Sequence, residues 1–145
     1  MVAINRIDAR VATVAGSDLH DTDDWVYLGL GGREFKLDTS AGDHDAGQNR
    51  TFRLGNQSNV TQAARNDPRS PQIDTDEVPD FPVYIRKPGT RRGQGEDSGD
   101  DGWRVESVDV TVNPGPNQLR YTRLVGPERI WLSNGAGLIL YLKRV

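Results

Sequence analysis

Apolar and polar side chains alternate in short bursts along this chain and hardly ever recur at helical spacing. Over residues 7–14, Ile7, Ala9, Val11 and Thr13 alternate with Asp8, Arg10, Ala12 and Val14, the period of two expected of a half-buried strand. Residues 25–30 (WVYLGL) make a second burst, and Gly31-Gly32 followed by REFKLDT predicts a tight hairpin into a third. Residues 50–54 give a short fourth strand and 81–87 a fifth, with Pro82 marking an edge or a strand start. The clearest alternation, WRVESVDVTV at 103–112, turns Trp103, Val105, Val108 and Val110 inward and requires a bulge around Ser107. Segments 119–125, 129–132 and 138–145 complete the set. Many short strands separated by turn residues predict an all-β chain: an antiparallel β-sandwich of two roughly four-stranded sheets with long loops.

Two segments break the meander. Residues 55–80 carry no strand pattern and are rich in Asn, Gln, Asp, Arg and Pro, although NVTQAARND has the composition for one or two helical turns. Residues 88–102 (PGTRRGQGEDSGDDG) read as a charged connection. If successive strands alternate direction, the connections 17–24, 40–49 and 88–102 all emerge at one end of the sandwich. Gly31-Gly32, 55–80 and 113–117 then emerge at the other. The three loops at the first end hold 10 of the 21 acidic residues.

Composition sharpens this picture. The acids divide into 16 Asp and 5 Glu, and Asp is a turn former and loop calcium ligand rather than a strand residue. The 18 bases include 15 Arg, yet the net charge of −3 argues against nucleic acid as the main partner. With no cysteine there is no disulfide framework, zinc ribbon or thiol nucleophile. No stretch approaches the length of a membrane span, and the opening MVAINRIDAR lacks the apolar run of a signal peptide, so the expectation is a soluble, cytoplasmic or particle-associated chain. The N-x-[ST] triplets at Asn49, Asn56 and Asn59 carry no meaning without secretion.

Carboxylates gathered at one pole repel one another unless neutralised, and a hard divalent cation accepting six to eight oxygens is suited to mobile loops. The plain alternative is that each Asp turns its own loop and stays solvated. No EF-hand spacing is present. His20 and His44 each stand beside Asp in these loops, which admits a His–Asp zinc or manganese site but fits ordinary exposed loop histidines better. No nucleophile elbow, P-loop or dinucleotide fingerprint occurs, so the chain is not expected to be an enzyme. Trp103 and Trp131 fit the core. Trp25 directly follows the first Asp-rich loop and either caps the core or stands at the loop tip as an anchor for a lipid surface or partner.

The stretch VATVAGSDLHDTDDWVYLGLGGREFKLDTSAGDHDAGQNRTFRL, with Thr13, Thr22, Asp23, Val26, Tyr27, Leu37, Asp38, Asp43, Gly47 and Phe52 in order, resembles the opening of PLAT (LH2) domains. DSGDDGWRVESVDV and the later RIWL resemble that family's acidic loop and following strands. The resemblance implies a PLAT-like sandwich over 1–145 with a loop insertion at 55–80. It further implies calcium held by the 17–24 loop (Asp18, Asp23), by Asp43 and Asp45, and by Asp97 or Asp100. Asp21 replaces the family's Gly before Thr-Asp, and Trp25 its small residue before Val26. The function so implied is a non-catalytic module contacting lipid headgroups or a protein partner through calcium. The rival is a structural or assembly subunit of an oligomer, virion or secretion-type particle, in which a neighbour orders the 55–80 loop.

Overall fold

The computed structural model describes residues 2–17, 20–89, 102–124 and 130–145. Among the described residues ten strands follow in order: β1 (Arg6–Thr13), β2 (Tyr27–Leu30), β3 (Arg33–Lys36), β4 (Asn49–Gly55), β5 (Tyr84–Arg86), β6 (Trp103–Val112), β7 (Leu119–Leu124), β8 (Ile130–Leu132), β9 (Ile139–Tyr141) and β10 (Lys143–Arg144). They form two antiparallel sheets, one ordered β10-β7-β6-β1-β4 with β8 paired to β6, the other β3-β2-β5-β9. The sandwich expected from the alternation is present. One sheet is wider than four strands because β8 and β10 join its margins. The run 138–145, read from sequence as one strand, divides: β9 pairs with β5 and β10 with β7, in opposite sheets. Leu142, buried between them, donates its N–H to Val83 O at 2.8 Å.

The inward positions are those that period two assigns. Ile7, Ala9 and Val11 of β1 face the core with Val105, Val108, Val110 and Val112 of β6, opposite Leu28, Leu30, Phe35 and Ile85 of the other sheet. Along β6 the inward set changes from odd to even numbers between Val105 and Val108. The pairing explains it, stepping from Ala12↔Ser107 to Thr13↔Val105 with Glu106 left over as the bulge. Trp103 is fully buried, its Nε1–H donating to Thr13 Oγ1 at 2.8 Å. Trp131, expected in the core, is instead exposed on the outer face, because in β8 it is Leu132 that turns inward.

Residues 56–80 are ordered by their own packing, which removes the reason for requiring a neighbour to order them. Val60, Ile73 and Val78 are buried, and Ile4 N–H bonds Ile73 O at 2.9 Å. The helical turns expected in NVTQAARND do not form a helix. Isolated turns occupy that stretch, and the Asn66 amide takes the Thr61 and Gln62 carbonyls for itself. A 3-10 helix forms later, at Thr75–Asp80. The segment sits under the β2–β3 hairpin, whose Gly31 and Gly32 both have positive φ; a Cβ on Gly31 would lie 2.7 Å from Ile73 Cγ2.

The polarity derived from strand direction holds. Thr13 N–H bonds Gln48 O (2.9 Å) and Gly47 N–H bonds Thr13 O (3.1 Å), placing the 14–26 and 37–48 connections at one end with Trp103. Asn113 bonds the backbone of Ala3, Asn5 and Arg6 at the opposite end. Residues 90–101, which hold Asp97 and Asp100, lie outside the described residues, as does Asp18.

Candidate functional site

At the Asp-rich end, the 20–26 and 37–48 stretches enclose a cleft of about 170 Å³ lined by Asp23, Asp24, Trp25, Lys36, Asp38, Asp43 and Asp45, among others. Local hydrogen bonds set its walls. Asp24 N–H bonds Thr22 Oγ1 (3.1 Å), and Thr22 N–H crosses to His44 O (3.3 Å), joining the two loops. Asp24 in turn receives Lys87 Nζ at 2.8 Å. Lys87 has 0% of its side chain exposed, and among the described residues its amine is met by Asp24 and by Pro88 O at 3.2 Å. This buried cation ties the first loop to the end of β5.

The acids divide by role. Asp43 is buried; Thr39 donates to it through both its N–H (2.7 Å) and its hydroxyl, and Arg50 Nε forms an ion pair at 3.2 Å that is not aligned as a hydrogen bond. Its structural work is to hold the 37–48 loop closed. Asp38 receives the Thr61 hydroxyl at 2.8 Å and the Ser40 N–H at 3.2 Å, with Lys36 at 3.8 Å. Burial pushes its carboxyl up, but these donors outweigh that and bring it below the usual carboxylate range. Asp23 and Asp45 are exposed on the cleft, one from each loop. Trp25 stands at the rim, 61% exposed, with Lys36 Nζ 3.9 Å from its ring centroid. Of the two positions open to it from sequence, it therefore occupies the loop tip.

Among the described residues, no three acidic or imidazole side chains converge to hold a metal ion. The histidines do not join the acids. His20 Nδ1 is 3.0 Å from Ala15 O and 3.2 Å from Val14 O, while Arg104 reaches its Nε2 at 3.3 Å. His44 is not an exposed loop residue: it is buried, stacked on Phe52 (5.4 Å), edge-on to Trp103 (5.1 Å), with Nε2 donating to Leu37 O at 3.3 Å. Burial lowers its pKa below the ordinary 6.5, and Nδ1 is left unpaired.

Sequence reasoning did not single out Lys87 or the core role of His44. Lys87 had a signal, since period two through Val83 and Ile85 turns it inward. His44 had none, because its ring partners are Phe52 and Trp103, distant in sequence.

No protein-family model and no curated protein matches the chain. Solved structures do. Alpha toxin from Clostridium absonum superposes with a TM-score of 0.63 at 20% identity, covering 98% of this chain and 32% of the toxin chain. Clostridium perfringens alpha-toxin from avian strain SWCP gives 0.60 at 20% identity, over 97% of this chain and 32% of that one. A lipoxygenase variant, Delta413-417:GS LOX, gives 0.56 at 13% identity, over 97% of this chain and 16% of that one. The fold is that of a PLAT/LH2-type β-sandwich. This chain thus spans about a third of the toxin chains and about a sixth of the lipoxygenase, corresponding to one sandwich portion of each. Among the described residues no helix is long and apolar enough to cross a membrane.

Proposed function

We propose that residues 1–145 form one non-catalytic PLAT-type binding module that engages its target through calcium at the Asp-rich end. The observation that carries this reading is the cleft itself: Asp23 and Asp45 face it from two different loops while an exposed Trp25 stands at its rim. Carboxylate oxygens supplemented by loop carbonyls suit calcium, which accepts loose oxygen geometry. Asp18, Asp97 and Asp100 belong to loops that leave the same end and are proposed to complete the donor set. Asp43 is proposed to shape the site by holding the loop closed. The bound cation would bridge the acidic loops to an anionic lipid headgroup, with the Trp25 ring entering the interfacial layer beside it.

Calorimetric titration with calcium chloride tests the first step. Saturable binding and a raised melting temperature are expected, about 2.7 kcal/mol of added stability at a hundredfold excess over Kd, and an Asp23→Ala/Asp45→Ala variant loses both. No melting shift at millimolar calcium overturns the reading. With calcium present, phosphatidylserine vesicles should co-float with the parent chain and much less with Trp25→Ala.

A further inference from the structure

Away from the Asp-rich end, the outer face of the β3-β2-β5-β9 sheet carries side chains that a merely solvated sheet face does not need. Three of the chain's four tyrosines are there, Tyr27 on β2, Tyr84 on β5 and Tyr141 on β9, with Ile139 beside them. Tyr141 is 58% exposed and Ile139 41%. Strand pairing sets this face in two rows, Glu34–Gly29–Tyr84–Tyr141 and Lys36–Tyr27–Arg86–Ile139.

Gly29 gives the first row its shape. A Cβ at Gly29 would lie 2.2 Å from both Cε1 and Cζ of Tyr84 and 2.7 Å from Cδ1. Three adjoining ring atoms at such similar distances put that point over the face of the ring, because an approach in the ring plane would leave Cδ1 much farther off. The Tyr84 ring therefore lies flat on the bare backbone of Gly29, with its other face turned outward. Its hydroxyl reaches across β2 to donate to Glu34 Oε2 at 3.0 Å. Tyr141 stands beside it at 70°, ring centroids 6.2 Å apart, so the two rings make a floor and a wall.

The polar rim is fixed as firmly. Glu34 accepts Arg86 Nε–H at 2.6 Å and Nη2–H at 2.9 Å, and Arg86 Cζ lies 4.7 Å from the Tyr27 ring centroid. Those two bonds leave both Nη1 hydrogens and the second Nη2 hydrogen without a partner among the described residues. Tyr84 and Arg86 share Glu34 Oε2, so these donors gather at the hydroxyl end of the Tyr84 ring.

We propose that this face is a platform for a neutral, β-linked polysaccharide of pyranose rings, one ring stacking on Tyr84 against Tyr141 while its hydroxyls meet Arg86 and Glu34. The axial C–H bonds of such a ring make a flat, slightly positive face, which the negative face of an aromatic ring attracts. Its equatorial hydroxyls leave in the plane of the sugar, toward the rim where the free guanidinium hydrogens stand. Charge argues for this occupant. Glu34 and Arg86 cancel, and Lys36 at the end of its row has Asp38 at 3.8 Å. A polyanion or a basic peptide thus finds no unmatched charge here, whereas a neutral molecule with apolar faces and hydroxyl edges complements the face throughout. Shape argues against a bilayer, since a ring lying flat on its own sheet does not project into the interfacial layer. Rings and rim are held before the ligand arrives, so little freedom is lost on binding.

Affinity electrophoresis of the full chain tests this in gels containing soluble mixed-linkage β-glucan or xyloglucan, with chelator present so that calcium binding plays no part. Retardation relative to a gel without polysaccharide is expected. Tyr84→Ala and Tyr141→Ala should each weaken it about tenfold while keeping a cooperative melt. Gly29→Ala, whose methyl strikes Tyr84 on the outer face and not the core, should do the same by lifting the ring, whereas Tyr84→Phe should retain most of the binding. A chain retarded by neither glucan, one retarded by dextran sulfate alone, or one retarded equally after both tyrosines are replaced by Ala overturns the proposal.

Discussion

His44 and Lys87 illustrate what single residues contribute to the Asp-rich end. Both are ionisable, both are buried, and they solve that problem differently. Lys87 pairs with Asp24 at 2.8 Å, whereas burial favours the neutral imidazole in His44. The folded-state pKa of His44 is below the unfolded one, so the unfolded chain takes up its proton first as pH falls. Its contribution to stability is therefore complete above about pH 6.5 and lost as pH falls from there through the folded value. Urea titrations between pH 7.5 and 5 should show this loss, and His44→Phe, which keeps the ring stack without the proton, should flatten that part of the profile. A profile unchanged by the substitution would place the acid sensitivity elsewhere.

Strands were the most legible elements because alternation and turn chemistry report them directly: β6 spans the residues its pattern marks, and Gly31-Gly32 closes the hairpin. The 138–145 run misled because nothing in LILYLKRV signals the change of sheet at Leu142. Trp131 misled because an aromatic in a short strand was assigned by its size, while its neighbour Leu132 fills the core. Of the candidate site, strand direction correctly gathered the described parts of the 17–24 and 40–49 loops, but did not tell which acids are consumed by structure. Asp43 looks like Asp45 in sequence; only the contacts of Thr39 and Arg50 separate them. Guarding side chains were equally hidden. Asn59 stands in a triplet without evident meaning and turns out to seal β4. Replacing it with Ala leaves Arg53 N–H and Thr51 O without that partner; an exposed edge limits the cost to about 1 kcal/mol. Chemical denaturation should register that loss, with faster aggregation on heating as a second sign of an uncovered edge.

Across the whole molecule, the central pairings are remote in sequence. β1 bonds β6 in a register that sets Ile7 against Val112, so the first sheet closes only around a long intervening chain. Such topology folds slowly, on the millisecond-to-second scale rather than the microseconds of a helical bundle. Stopped-flow refolding followed through the fluorescence of the buried Trp103 should fall in that range, and microsecond refolding would contradict this account of the fold. The crossing at Leu142 adds a temporal consequence. The strand that completes one layer and the strand that borders the other are separated by that single residue, and both come last. During synthesis on the ribosome one layer lacks its border strand until residue 141, and the other until residue 144, has cleared the exit tunnel. Until then the preceding strands emerge with apolar faces uncovered, which makes the nascent segment a natural client for chaperones that hold β-rich chains.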